Sequence, residues 1–370
     1  MKAAVVGGGP AGALLSFHLA RDGAAVTLYD HSHPREKPCG GAFTPRALDL
    51  LPEAPADDPL PVRRVHGCRF DSGAGEAVDV ALARAVGIGS RRLVDAWLLR
   101  RATGAGVRHV AERVRSVRPG LVLTAGGREE RHDLVLGADG ASSLVRRTFL
   151  GPLPAERLTM AAGWFARGES EMVVRFTPGL AGYLWLFPRP DHVGVGICAP
   201  LASVPTREML ARLASEVARA FPALSDEEAE RYAHIIPSPT TEAASILETA
   251  GDDWALVGDA AALADPITGE GIYFALRSAA LLADTLRGGA SPRAYAQRAY
   301  DEFGRDLVKA AALRARFFAP GFASRMVRYA QRSAAVRGVL GDLVLGTQGY
   351  VGLKRRLLGS LPRFLWQMAR

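Results

Sequence analysis

The residues best placed for chemistry begin in the first dozen positions. Lys2 to Gly12 reads KAAVVGGGPAG and contains Gly7-x-Gly9-x-x-Gly12. In such a turn the first glycine allows the bend. The second lets backbone approach a pyrophosphate, and the third lets helix pack on strand. Gly7, Gly9, Pro10, Ala11 and Gly12 are therefore candidate dinucleotide contacts, with the N-terminus of the following helix offering N–H groups to an anion. Asp30 closes the next apolar run, Val26-Thr27-Leu28-Tyr29, at the spacing that suits a ribose hydroxyl. Without a ligand the same residues would be an ordinary glycine-rich turn.

Further along, Lys37-Pro38-Cys39-Gly40-Gly41 places a thiol in a loop of turn residues. Cys39 reads either as a redox-active or proton-donating thiol or as a small loop residue. Asp139-Gly140 and Gly258-Asp259 each follow a short apolar run, where aspartate serves as a helix cap or a cofactor contact. Tyr183, Trp185 and Phe187 alternate, so the three rings leave one face of a strand. They form a sheet core or the wall of an apolar substrate site. His234, in His-Ile-Ile-Pro237, precedes a return between domains; it reads as a surface or core residue or, alternatively, as one that reaches the site.

These residues require elements to hold them. Ala3–Val6, Val26–Asp30, 133–138 and Trp254–Val257 read as buried parallel strands, with helices over 11–20 and about 271–287. Val62–Asp71, Ala77–Ala83 and about four strands within Leu158–Ala199 show the alternation of an antiparallel sheet. Helices are expected at 44–51, 91–104 and 205–220, and the chain is helical beyond 291. Strand-like pieces fall at 107–111, 113–118 and 121–124. The fold class is α/β, an α+β composite. A Rossmann-like dinucleotide domain (1–61, 92–150, 251–290) carries an inserted, mainly antiparallel substrate domain (62–91, 151–250), followed by a C-terminal helical region (291–370). No repeats are seen.

Composition narrows the classes. The 370 residues carry a net charge of +8, yet lysine occurs only at 2, 37, 309 and 354. Arginine abundance of this kind reads as codon bias, and no nucleic-acid motif accompanies it. The three scattered cysteines form no metal-type pairing and fit a reducing cytoplasm. No metal site is expected. The first apolar run is too short for a signal peptide, and none approaches the ~20 residues of a membrane span.

Three stretches together, GGGPAG, LGADGASSLVRR at 136–147 and LVGDAAALADPITGEGI at 256–272, resemble the FAD fingerprints of the aromatic-hydroxylase-like flavoproteins. The resemblance implies FAD as cofactor. It implies Asp30 at the adenosine ribose, Arg91 at the pyrophosphate or ribityl chain, and Asp139 shaping the crevice. Gly258 and Asp259 would serve the ribityl or pyrophosphate portion, and Gly269, Gly271 and Ile272 the isoalloxazine. Lys37 to Gly41 and the Tyr183-x-Trp185-x-Phe187-Pro188 stretch are similar to motifs of the geranylgeranyl reductase family. That branch implies reduction of carbon–carbon double bonds in a prenyl chain, with Lys37, Cys39, Gly40 and Gly41 near the flavin and Cys39 as catalytic candidate. Tyr183, Trp185 and Phe187 would meet the substrate.

Electrons would come from NAD(P)H or another reduced carrier, including a donor protein, because no second nucleotide turn is present. Positions 262, 272 and 273 lack the His and Asn usual in flavin hydroxylases. The alternatives are a flavin monooxygenase or halogenase, a reductase of a menaquinone tail, and a non-catalytic flavin-binding or membrane-docking protein. Residues 307–370 interleave basic and large apolar residues with Asp342 as sole acid, a pattern expected to contact anionic lipid.

Overall fold

The computed structural model describes residues 1–224, 231–245 and 249–357. In chain order the first elements are β1 (Lys2–Val6), α1 (Pro10–Arg21), β2 (Ala25–Tyr29), β3 (Ala42–Phe43), α2 (Pro45–Leu48), β4 (Arg63–Asp71), β5 (Ala77–Ile88) and α3 (Arg91–Gly104). Next come β6 (Arg108–Val110), β7 (Val114–Arg118), β8 (Leu121–Thr124), β9 (Glu129–Arg131), β10 (Leu134–Gly137) and α4 (Leu144–Phe149). The middle of the chain forms β11 (Leu158–Ala166), β12 (Val173–Phe176), β13 (Tyr183–Pro188), β14 (Val193–Pro200), α5 (Thr206–Ala220), β15 (Arg231–Pro237) and α6 (Thr241–Ser245). The last are β16 (Trp254–Leu256), α7 (Ile272–Arg287), α8 (Pro292–Ala299), α9 (Arg305–Phe317), α10 (Phe322–Arg332) and α11 (Ala334–Val344).

Five strands form a parallel sheet in the order β16-β10-β1-β2-β6. Its strands are apolar on both faces: they share one buried core with α1, α3, α7 and with Val117 and Val122 of the separate three-stranded sheet β7-β8-β9, and β1 is buried from Ala3 to Val6. The chain leaves β1 between β2 and β10, so the glycine turn opens at a switch in strand order, where α/β sheets bind ligands. Gly7 takes a positive φ of 101°. A Cβ on Gly12 would overlap the Gly7 carbonyl oxygen, so only glycine lets α1 start this close to β1.

The second sheet has eight strands, β15-β11-β14-β13-β12-β4-β5-β3. All of its pairs are antiparallel except β12 with β4. Leu184, Leu186, Val193, Val195 and Ile197 point to one face and pack under Met209, Leu213 and Val217 of α5, whose four-residue spacing makes one stripe. The other face carries Tyr183, Trp185 and Phe187 beside small residues at alternate positions, Gly194, Gly196, Cys198, Ala161 and Gly163. This pairing of rings with small neighbours leaves a hollow. Trp185 lies over Gly196, where any Cβ would overlap the indole.

Several expectations need correction. β5 runs on to Ile88, and α2 is a single turn rather than a helix over 44–51. β3, inside the first dinucleotide segment, pairs with β5 of the eight-stranded sheet. β9 and β15 were not anticipated. β9 is too short and charged to show a period, and β15 has no strict polar alternation. In the tail, Phe317, Phe318 and Met326 pack inward against β4 and β5. Leu358, Arg363, Phe364, Leu365, Trp366 and Arg370 lie outside the described residues. No helix among the described residues is long and apolar enough to cross a membrane.

Because backbone rather than a flexible side chain blocks position 12, Gly12→Ala should destabilise the protein by about 1–3 kcal/mol. Urea denaturation measures this; an unchanged midpoint would show that α1 is free to shift away from β1.

Candidate active site

One cavity of about 640 Å³ spans both sheets. Its polar end is lined by Gly7, Gly9, Asp30, Arg35, Arg91 and Asp139. Its apolar arm is lined by Phe70, Met172, Phe176, Trp185, Phe318 and Leu343. Lys37, Cys39, Tyr183, His234 and Asp259 line it as well.

The polar end is built to receive an anion. α1 begins at Gly9 without a side-chain cap, and Pro10 at its first position has no N–H to satisfy. The N–H groups at the start of α1 therefore lack a side-chain acceptor. A Cβ on Gly9 would meet only Arg35 Nη2 at 3.8 Å and Arg91 Nη2 at 3.9 Å, so two guanidinium groups converge over an open backbone. Arg91 is buried and held by Asp95 through Nε–Oδ1 and Nη2–Oδ2 contacts of 2.7 Å each. Burial opposes its charge, but Asp95 holds its pKa above the ordinary range. Arg35 shares Asp95 at 3.4 Å. This cradle fits a pyrophosphate, the group that links the two halves of FAD.

The candidate acids divide. Asp30 accepts from Gly8 N at 2.5 Å and Ser32 N at 2.7 Å. Burial disfavours its charge, yet the Ser32 hydroxyl, which also donates to it, and these two N–H groups hold its pKa below the usual carboxylate range. Its first duty is thus to brace the turn. Asp139 accepts from Leu144 N at 2.6 Å and Val145 N at 3.2 Å, so it caps α4 while lining the cavity, and burial raises its pKa. Asp259 receives Lys37 Nζ at 3.1 Å. Burial opposes its charge, and Lys37 keeps the carboxyl below the usual range.

α7 also starts uncapped, at Gly271, with Gly269, Gly271 and Ile272 on the cavity wall. Asp265 shapes the preceding turn by accepting from Ile267 N at 2.7 Å and Thr268 N at 3.0 Å. The Tyr183 hydroxyl donates to the Thr268 carbonyl, tying the aromatic strand to that turn.

In the Lys37–Gly41 loop, Cys39 Sγ accepts from Gly41 N at 3.3 Å. Gly40 and Gly41 both line the cavity. They also have a packing reason: a Cβ on Gly40 would lie 2.5 Å from the Phe187 ring, and one on Gly41 would overlap the Gly89 carbonyl. The loop is anchored by Glu36. Its carboxylate accepts from Arg91 N at 2.9 Å, Arg92 N at 3.3 Å and the Ser90 hydroxyl at the start of α3. It also pairs with the fully buried Arg189 at 2.7 Å, whose Nη2 donates to the Cys39 carbonyl at 2.7 Å.

Arg35, Glu36 and Arg189 were not legible as site residues, and His234 was legible only as the less favoured of two readings. Glu36 and Arg189 stand 153 positions apart, so no local spacing announces the pair. His234 on β15 faces Ala161 of β11 and shares the cavity face.

No family model matches the chain. A geranylgeranyl diphosphate reductase of Rhodobacter capsulatus is 31% identical over 299 residues, 73% of this chain and 71% of that protein. The chain belongs to the geranylgeranyl reductase family of FAD-dependent oxidoreductases. It is an enzyme of that type, which sets aside the non-catalytic alternative. A menaquinone reductase of Mycobacterium tuberculosis is 29% identical over 90% of the chain and 88% of its own length. A geranylgeranyl bacteriochlorophyll reductase-like structure from Thermoplasma acidophilum superposes with a TM-score of 0.76 at 19% identity, covering 97% of this chain and 98% of that one. A flavin-dependent brominase structure gives 0.73 at 18% identity with full coverage of both chains, a likeness of fold.

Burial, then the Lys37 charge, push the His234 imidazole from its ordinary 6.5 down to about 4, with Asp259 pulling the other way. Below 6.5 the unfolded chain therefore binds a proton that the folded site refuses. This term favours folding above 6.5 and is lost as pH falls toward 4. Thermal melts over that window should show a shallower acid loss in His234→Gln than in the parent protein. Identical slopes would mean that His234 titrates normally.

Proposed function

We propose that this protein is an FAD-dependent reductase that saturates carbon–carbon double bonds in the isoprenoid chain of a lipid. The observation that carries the reading is the single cavity joining an uncapped, arginine-flanked glycine turn to an apolar arm walled by Trp185 and Phe187. The named reductases among its relatives support it.

When bound, FAD supplies the hydride that reduces an alkene. Gly7, Gly9, Pro10, Ala11 and Gly12 would hold its pyrophosphate with Arg35 and Arg91. Asp30 would meet the ribose, and Lys37, Gly258 and Asp259 the middle of the cofactor. Gly269, Gly271 and Ile272 would lie against the ring system, where the open start of α7 favours negative charge. Asp139 and Gly140 shape the adjoining wall. Tyr183 keeps this wall and the aromatic strand at constant spacing through Thr268. Trp185 and Phe187 hold the chain and exclude water, which preserves orientation during transfer. Cys39, at the junction of the two regions, is the proposed thiol for proton transfer. Burial raises the Tyr183 hydroxyl well above its ordinary pKa, so that group stays protonated as a tether. Electrons arrive from NAD(P)H or another reduced carrier.

Mass spectrometry of cellular lipids and quinones with and without the protein tests the function, and one added H2 per reduced double bond is expected. Identical lipid masses in the two samples would defeat the proposal. Trp185→Ala should lower alkene turnover by about tenfold, as loss of a well-oriented contact does, while FAD stays bound. Unchanged turnover would move the substrate wall elsewhere.

The lipid's source is proposed to be an anionic membrane surface. Arg325, Arg328 and Arg332 of α10 are exposed, Tyr329 is 49% exposed among them, and α10 contains no acid. Each basic group near such a surface contributes about 1 kcal/mol. Co-sedimentation with anionic vesicles, weakened by salt and by Arg325→Glu with Arg332→Glu, is expected. Equal recovery in the supernatant with anionic and neutral vesicles would contradict it.

A further inference from the structure

His234 is a group in the cavity wall that the reading above leaves without a task. Its ring sits on the cavity face of β15, opposite Ala161 of β11. Ala161 in turn faces Cys198 of β14, so a row of small neighbours separates His234 from the aromatic strand. Nε2 is buried and has no hydrogen-bond partner. A buried polar nitrogen left unpaired is costly, and native structures rarely keep one without a reason. The groups whose charges act on it are Lys37 of the loop, Asp259 after β16, Arg91 of α3 and Arg35. They are the same side chains that surround the path between the glycine turn and the start of α7.

We propose that His234 Nε2 is a cofactor-binding atom that hydrogen-bonds a hydroxyl of the polyol chain linking the pyrophosphate of FAD to its ring system. The proposal rests on the FAD reading above. A hydroxyl both donates and accepts, so it pairs with Nε2 in either tautomer. A phosphate oxygen only accepts, and the two arginines already converge on its expected place. The neutral imidazole that burial enforces suits a hydroxyl better than an anion. An isoprenoid chain carries no polar atom that could pair with Nε2. The placement of His234 among Lys37, Asp259 and Arg91 assigns it to the cofactor side of the cavity.

FAD dissociation constants of the flavin-stripped full-length protein, read from flavin fluorescence, test this. His234→Ala should weaken FAD by about tenfold, the equivalent of one hydrogen bond. His234→Gln places an amide near Nε2 and should stay within about threefold of the parent, whereas His234→Asn reaches only the Nδ1 position and should resemble Ala. ADP lacks the polyol, so its calorimetric affinity should be equal in all four proteins. Equal FAD affinity in parent and His234→Ala overturns the inference, as does a parallel loss of ADP binding. If His234→Ala does not fold, the Gln–Asn contrast decides, and equal affinities there overturn it. A parent protein that binds no FAD would overturn the underlying cofactor reading as well.

Discussion

The Glu36 carboxylate is the joint on which this structure depends. It accepts from the N-terminal N–H groups of α3, in the dinucleotide half, and from Arg189 at the end of the aromatic strand. Burial alone would raise its pKa, but the Arg189 guanidinium keeps it charged. Arg189 stacks on Phe165 at 4.6 Å and carries the Cys39 carbonyl on its other arm. One ion pair thus sets the distance between the parallel sheet, the cysteine loop and the eight-stranded sheet. Removing either partner would strand a buried charge, a loss on the order of 3–5 kcal/mol.

With that spacing held, the cavity follows from side-chain size. Around Trp185 the cavity face of β11 and β14 carries Ala161, Gly163, Gly196 and Cys198, while β13 beside it carries three rings. The opposite face of the same strands packs large aliphatic groups under α5. α10 and α11 close the far end over β4 and β5, and Phe317, Phe318 and Met326 line the arm they create. The tail therefore contributes to the apolar chamber rather than only to the surface.

Much of this was legible beforehand because its signals are local. The glycine turn, the strand-ending acids and the alternating rings each occupy a few consecutive positions with a fixed geometric meaning. The parallel strands β1, β2, β10 and β16 showed as short apolar runs, and α5 and α7 by their helical period. What escaped detection depends on contacts across the chain. Arg189 is one arginine among many until β13 delivers it to Glu36. His234 looked like a core or surface residue because β15 gives no clear alternation and its register against β11 is set by pairing. Gly40 was legible as a glycine beside the cavity, but its close packing under the Phe187 ring was not.

The most direct measurement is anaerobic single turnover. FAD-loaded protein, reduced without oxygen, is mixed with a polyprenyl alkene in detergent, and flavin absorbance and product mass are followed together. The account predicts that the alkene alone restores the oxidised flavin spectrum, with one H2 gained by the product for each flavin reoxidised. Reoxidation that requires oxygen, with the alkene unchanged in mass or gaining an oxygen or halogen atom, would contradict it.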